Sequence, residues 1–194
     1  MKAVIASILF ALLASACGDN LSAPGPLAYT DPGAGKLRLV KDPASTGWEM
    51  VLDLVVGDAP QTGYSVGFDL PLTPGDVQLG AFTPGTALSA GTAPVAALAS
   101  IPDHGPLANQ LVTGQSQKAS GAGAVATDTT LAPGTILYSI HLAPIVGARA
   151  GIVFDGGASG FVLTSAGLRD RKGNTVVDAK DVAIGKLELV RDDD

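Results

Sequence analysis

From residue 36 onward the chain alternates. In "KLRLVKD" Leu37 and Leu39 take one phase and Lys36 and Arg38 the other. In "WEMVLDLVV" Trp48, Met50, Leu52 and Leu54 share a phase, with Glu49, Val51, Asp53 and Val55 between them. "YSVGFDL" puts Tyr64, Val66, Phe68 and Leu70 together, and "GTILYSIHLAP" does the same for Ile136, Tyr138, Ile140 and Leu142. Successive side chains of a strand point to opposite faces, so a period of two marks a half-buried β-strand. "VQLGAF", "AGIVFD", "GFVLTSAG" and "KLELV" are shorter segments of the same kind, and "LRDRKGNTVV" forms a hairpin pattern turning near Lys172, Gly173 and Asn174. The pattern weakens over residues 91–130. There "APVAALASI" suits a strand or a short helix, and "NQLVTGQSQKASGAG" suits a strand running into a loop. No long helical period is present after the first twenty residues. An all-β sandwich of about nine strands is the expected fold.

The start of the chain is different. "MKAVIASILFALLASACGDN" has one basic residue, Lys2, then an uncharged run over residues 3–16 that ends in small side chains. This is the layout of a secretory signal peptide. As a helix the run would reach about 21 Å at about 1.5 Å per residue, short of a hydrocarbon core of about 30 Å. Leu13, Ala14, Ser15, Ala16 and Cys17 together resemble the lipobox of bacterial lipoproteins, with the Leu one position earlier than in the commonest form. The resemblance implies that Cys17 is acylated and becomes the mature N-terminus, and it implies a cell-envelope, membrane-anchored protein. The choice between inner and outer membrane stays open. Residues 18–35 hold three Pro and four Gly and read as a flexible tether. The expected organisation is a signal peptide over 1–16, the lipidated Cys and linker over 17–35, one β-sandwich domain over 36–191, and an acidic tail over 192–194.

Composition narrows the class. The 194 residues are 46% hydrophobic and 15% charged, too apolar for a disordered chain. Twenty-five Gly and 13 Pro suit many short strands joined by turns. The formal net charge is −6 and no basic cluster is present, so the electrostatic footprint of a nucleic-acid partner is missing. Cys17 is the one cysteine, which excludes an internal disulfide and a cysteine-based metal centre.

Candidate chemistry is sparse. Residues 63–67 match G-x-S-x-G, the nucleophile elbow of α/β-hydrolases. That elbow needs a strand, a strained turn and a helix, whereas the alternation runs straight through Ser65 to Leu70 and Pro71 and Pro74 bar a helix. Ser65 is therefore expected on an ordinary strand, on the face of Gly67 and Asp69. The two histidines, His104 beside Asp103 and His141 in phase with Ser139, have no sequence link to Ser65. Glu occurs only at 49 and 188, on alternating segments. No catalytic residue is assigned. Asp170, Asn174 and Asp178 are the candidate calcium ligands, although the D-x-[DN]-x-[DN]-G loop is absent and a plain turn explains them as well.

The segment "VLDLVVGDAPQTGYSVGFDLPLTPGDVQLGAFTPGTAL" is similar to the first half of cohesin-type domains. "PGTILYSIHLAP", "RAGIVFDGG", "LRDRKGNTVV" and "GKLELV" resemble later strands of that family. Leu70, Pro71 and Leu72 depart from its usual Asp-Pro, and residues 91–130 align poorly. The resemblance implies a nine-stranded jelly-roll sandwich related to carbohydrate-binding modules. It implies a non-catalytic protein-binding or scaffold module with a dockerin-like partner, and no duplicated dockerin-type calcium loop is present in this chain. A carbohydrate-binding module and a structural envelope lipoprotein without a specific ligand are the alternatives. Exposed aromatics on one flat face would favour a polysaccharide. A flat face of small polar and apolar residues would favour a protein. Trp48, Tyr64, Phe68 and Tyr138 all fall on apolar phases, where core packing is the expected use.

Overall fold

A computed structural model describes residues 25–89, 95–118, 127–163 and 165–190. Cys17, the signal segment and the acidic tail lie outside the described residues. The strands, in chain order, are β1 Leu27–Thr30, β2 Leu37–Lys41, β3 Met50–Val56, β4 Gln61–Gly63, β5 Ser65–Pro71, β6 Val77–Pro84, β7 Val95–Ser100, β8 Gln110–Gln117, β9 Thr129–Leu131, β10 Ile136–Pro144, β11 Gly151–Asp155, β12 Ser165–Arg169, β13 Thr175–Asp178, β14 Val182–Ala183 and β15 Lys186–Leu189. The helical content among the described residues is one 3₁₀ turn, Ala179–Asp181. These fifteen segments outnumber the nine or so expected because several are only two to four residues long, too short to show a period.

Two five-stranded sheets form the layers. One has the order β14-β2-β3-β10-β6 and the other β13-β12-β5-β8-β7. A three-stranded sheet, β1-β15-β11, and the pair β4-β9 complete the protein. Every described pairing is antiparallel except β14 with β2. The inward phases supply the core: Leu37 and Leu39 from β2, Met50, Leu52 and Leu54 from β3, Val66, Phe68 and Leu70 from β5, and Tyr138, Ile140 and Leu142 from β10. Phe68 and Tyr138 meet between the layers with ring centroids 6.2 Å apart.

The alternation holds where strands are long and slips at their ends. Trp48 lies before β3 and is 51% exposed, because the alternating ladder begins only at Met50. A register shift between Ile136 and Tyr138 opens the phase of β10, so that Ile136 is exposed and Leu137 is buried. "APVAALASI" resolves as a strand, β7, at the edge of its sheet.

The linker expected over 17–35 gives up residues 27–30 to β1. Leu27 is buried, and β1 pairs with β15 in the register Leu27 to Leu189 through Thr30 to Lys186. The Tyr29 phenol donates to Leu39 O at 2.7 Å and accepts from Gly185 N–H at 2.9 Å. Its ring meets Phe154 edge-on at 6.1 Å. Gly185 has to be glycine for this contact, since a Cβ there would stand 2.0 Å from Thr30 O and 2.7 Å from the Tyr29 hydroxyl. Four residues between proline- and glycine-rich flanks are too few to reveal a period, which is why the strand was hidden in the tether pattern.

Candidate functional site

The outer face of the β13-β12-β5-β8-β7 sheet is built from small side chains in register. Cross-strand partners point to the same face, so the pairings assemble rows across the sheet. One row runs Thr175, Arg169, Ser65, Ser116, Ala96. The next runs Asp178, Gly167, Gly67, Gly114, Leu98. A third runs Ser165, Asp69, Val112, Ser100. None of these positions is aromatic. The three consecutive glycines leave a shallow trough, with a depression of about 210 Å³ on the Asp69 and Arg169 side of Ser65 and one of about 340 Å³ on the Leu98 side. Burial in this trough pushes the Asp69 carboxyl above its ordinary value. Arg169 is turned back toward the hairpin, donating to Gly173 O and Thr175 Oγ1.

The facing glycines differ in what they tolerate. A Cβ on Gly67 would stand 2.5 Å from Thr113 O, whereas one on Gly114 would meet only Val66 O at 3.9 Å. Gly63 is equally constrained, since its Cβ would stand 2.4 Å from Leu168 Cγ. Both glycines of the G-x-S-x-G pattern are thus required by packing. Ser65 is the first residue of β5, the middle strand of the sheet, and neither histidine is hydrogen-bonded to it. His104 pairs with Asp103 in an exposed loop, and His141 Nδ1 is 2.7 Å from Glu49 Oε1 on the opposite sheet.

That opposite sheet carries a polar group that alternation alone hid. Asp53 is buried on the outward phase of β3, and Ser139 Oγ donates to its Oδ1 at 2.6 Å. Burial holds the Asp53 carboxyl above the usual range, the Ser139 hydrogen bond works against that, and the negative charge of Asp42 adds to it. Ser139 and His141 share a face, yet the serine proton is directed at a carboxylate and the histidine at a different carboxylate. This is not the serine–histidine contact that activates a nucleophile. Glu188 is ion-paired with Lys186 at 2.6 Å, so the two glutamates occupy separate settings.

Of the calcium candidates, Asp170 and Asn174 meet in the hairpin turn. Asp170 Oδ1 accepts from the N–H groups of Lys172 and Asn174 at 2.8 Å each, and Oδ2 accepts from Asn174 Nδ2 at 2.7 Å. These bonds, the Asn174 side chain first, hold the Asp170 carboxyl below its ordinary range. Asp178 lies on the outer face opposite Gly167, at the far end of β13 from that turn. Among the described residues no three His, Cys, Asp or Glu side chains group as metal ligands would.

Core-facing polar residues of β8 escaped the sequence pattern. Gln115 is buried and bonds both ways with Gly85, Nε2 to O at 2.8 Å and N–H to Oε1 at 3.1 Å, so its amide ties β8 to the end of β6. Gln117 Nε2 donates to Thr127 O and Thr129 Oγ1 at 2.7 and 2.8 Å. No family model, no curated protein and no solved structure matches this chain.

Proposed function

We propose that this chain is a membrane-anchored lipoprotein of the cell envelope whose β-sandwich is a non-catalytic, cohesin-like protein-binding or scaffold module. The observation that carries the binding reading is the outer face around Gly67: five strands wide, troughed by Gly167, Gly67 and Gly114, and free of aromatics at its aligned positions. A face of small residues admits the close approach of another protein's backbone or side chains. Stacking a sugar needs exposed rings, which these rows lack. The lipobox-like stretch ending at Cys17 supports anchoring, and the single cysteine leaves no competing use in a disulfide.

The test compares residues 17–194 with the variant Gly114→Arg as bait for envelope and secreted fractions of the source cells, with calcium and with EDTA. A Cβ at Gly114 would meet only Val66 O, at an ordinary 3.9 Å, so the arginine blocks the trough without disturbing the core. One dominant protein, retained by the parent and lost with the variant at unchanged thermal stability, supports the reading. Loss of that protein on EDTA identifies a calcium-dependent, dockerin-like partner. Equal capture by both baits, or capture of polysaccharide alone, overturns the proposed face.

A further inference from the structure

We infer that one end of the sandwich is a lipid-contact surface formed by Trp48, Val146 and Ile152, an inference that rests on the anchoring reading above. Three strand ends define this end. Leu27 N–H bonds Gly47 O at 2.6 Å, placing the entry of β1 beside Trp48. Leu189 pairs with Leu27 on one side and with Gly151 on the other, and Val190 N–H bonds Pro26 O at 2.9 Å. Ile145 N–H bonds Asp76 O, which brings the turn carrying Val146 to the same end. The chain therefore enters at Pro26 between Trp48 on one flank and Ile152 and Val146 on the other.

These side chains are exposed by 51% at Trp48, 85% at Val146 and 50% at Ile152, half of the large hydrophobic residues exposed among those described. The length of chain before Pro26 says what covers them. Nine residue steps separate Cys17 from Pro26, and at about 3.3–3.6 Å each they reach about 30 Å at full extension. An anchor at Cys17 thus keeps this end, where the chain enters the sandwich, within about 30 Å of the bilayer surface. Tryptophan suits that depth, with an apolar body and a polar N–H for the headgroup layer. Glu49, Asp76 and Arg149 share the end, charges of both signs, so the contact is apolar insertion beside the anchor. The trough around Ser65 is then left on the side of the tethered domain, clear of the membrane.

Trp48 is the sole tryptophan and Cys17 the sole cysteine of the chain, and both serve the experiment. All the described strands lie within residues 27–189, so residues 17–194 retain each of them. This protein is coupled through Cys17 to maleimide-lipid vesicles of phosphatidylcholine with brominated acyl chains. The expected result is a blue shift of Trp48 emission, quenching by the bromines, and loss of quenching by aqueous iodide. Val146→Asp with Ile152→Asp, both at exposed positions, is expected to lower the docked fraction about tenfold. Emission and iodide quenching equal to those of the free protein would overturn the inference, as would a double variant that docks like the parent. Chemical coupling supplies the anchor whether or not Cys17 is acylated in cells. The anchoring reading is judged separately, by the mass of the mature chain from its own envelope.

Discussion

The Thr113 hydroxyl and the Tyr138 phenol lie 2.9 Å apart and join the two five-stranded sheets inside the core. Thr113 directs its single proton to Phe68 O at 3.2 Å, so Tyr138 is the donor between them. The two partners are consequently unequal. Tyr138→Phe removes the donor and leaves Thr113 still bonded, at an expected cost of about 0.5–1.5 kcal/mol. Thr113→Val strands the phenol proton in the core, at about 1–3 kcal/mol. The double variant should be more stable than Thr113→Val alone. Urea unfolding of the four proteins checks this, and a double variant that is the least stable would refute the assignment of donor and acceptor.

Gly67 and Gly114 face each other across β5 and β8 and predict opposite outcomes for one substitution. Gly67→Ala drives a Cβ into Thr113 O and should destabilise by about 1–3 kcal/mol, as overpacking against backbone does. Gly114→Ala makes only an ordinary contact, with Val66 O at 3.9 Å, and should lie within about 0.5 kcal/mol of the parent. Thermal unfolding of the pair measures the difference directly. Equal effects would mean that the strands do not approach as described.

Asp53 makes stability depend on pH. Its folded carboxyl is raised by burial, so its contribution is complete below the unfolded value of about 3.9 and is lost as pH rises through the higher folded value. Asp53→Asn keeps an acceptor for the Ser139 hydroxyl and removes the charge. The Tm advantage of the variant over the parent should therefore grow from about pH 4 to pH 7. A difference that stays constant across that range would show that the carboxyl is not perturbed.

A chain begun at residue 36 should fail where one begun at residue 25 folds. The shorter chain loses the β1 pairing with β15, the burial of Leu27 and the Tyr29 bonds to Leu39 and Gly185. Deleting the buried Leu27 side chain alone costs about 2–5 kcal/mol. Near-UV circular dichroism and Tm of the two chains decide the boundary.

What was legible in the sequence follows from strand length and from which residues face the core. β3, β5 and β10 are seven to nine residues long with apolar inward phases, and their alternation was readable. β8 is eight residues long but turns Thr113, Gln115 and Gln117 inward, so its buried phase looks polar. Thr113 and Gln115 find their side-chain partners far along the chain, in Tyr138 and Gly85, and no local pattern announces that. β1 was masked by proline and glycine on either side. The hairpin around Asp170 was visible because its turn is made by residues adjacent in sequence. The face around Ser65 was half visible: its small residues were plain, while the alignment of three glycines into one trough depends on the registers of three strands.

The pairing of β1 with β15, and of β14 with β2, gives the chain a late closing point. The first strand has no sheet to join until residues 186–189 have been made, and β2 keeps an open edge until residues 182–183 arrive. Long-range pairing of this kind slows folding, because the closure entropy of the intervening chain is set against few contacts until the end. On the proposed envelope reading, in which the chain is exported, that delay is useful. A polypeptide unable to complete its fold during synthesis stays threadable through a narrow translocation channel, and it locks only once its C-terminal strands have followed its N-terminus across.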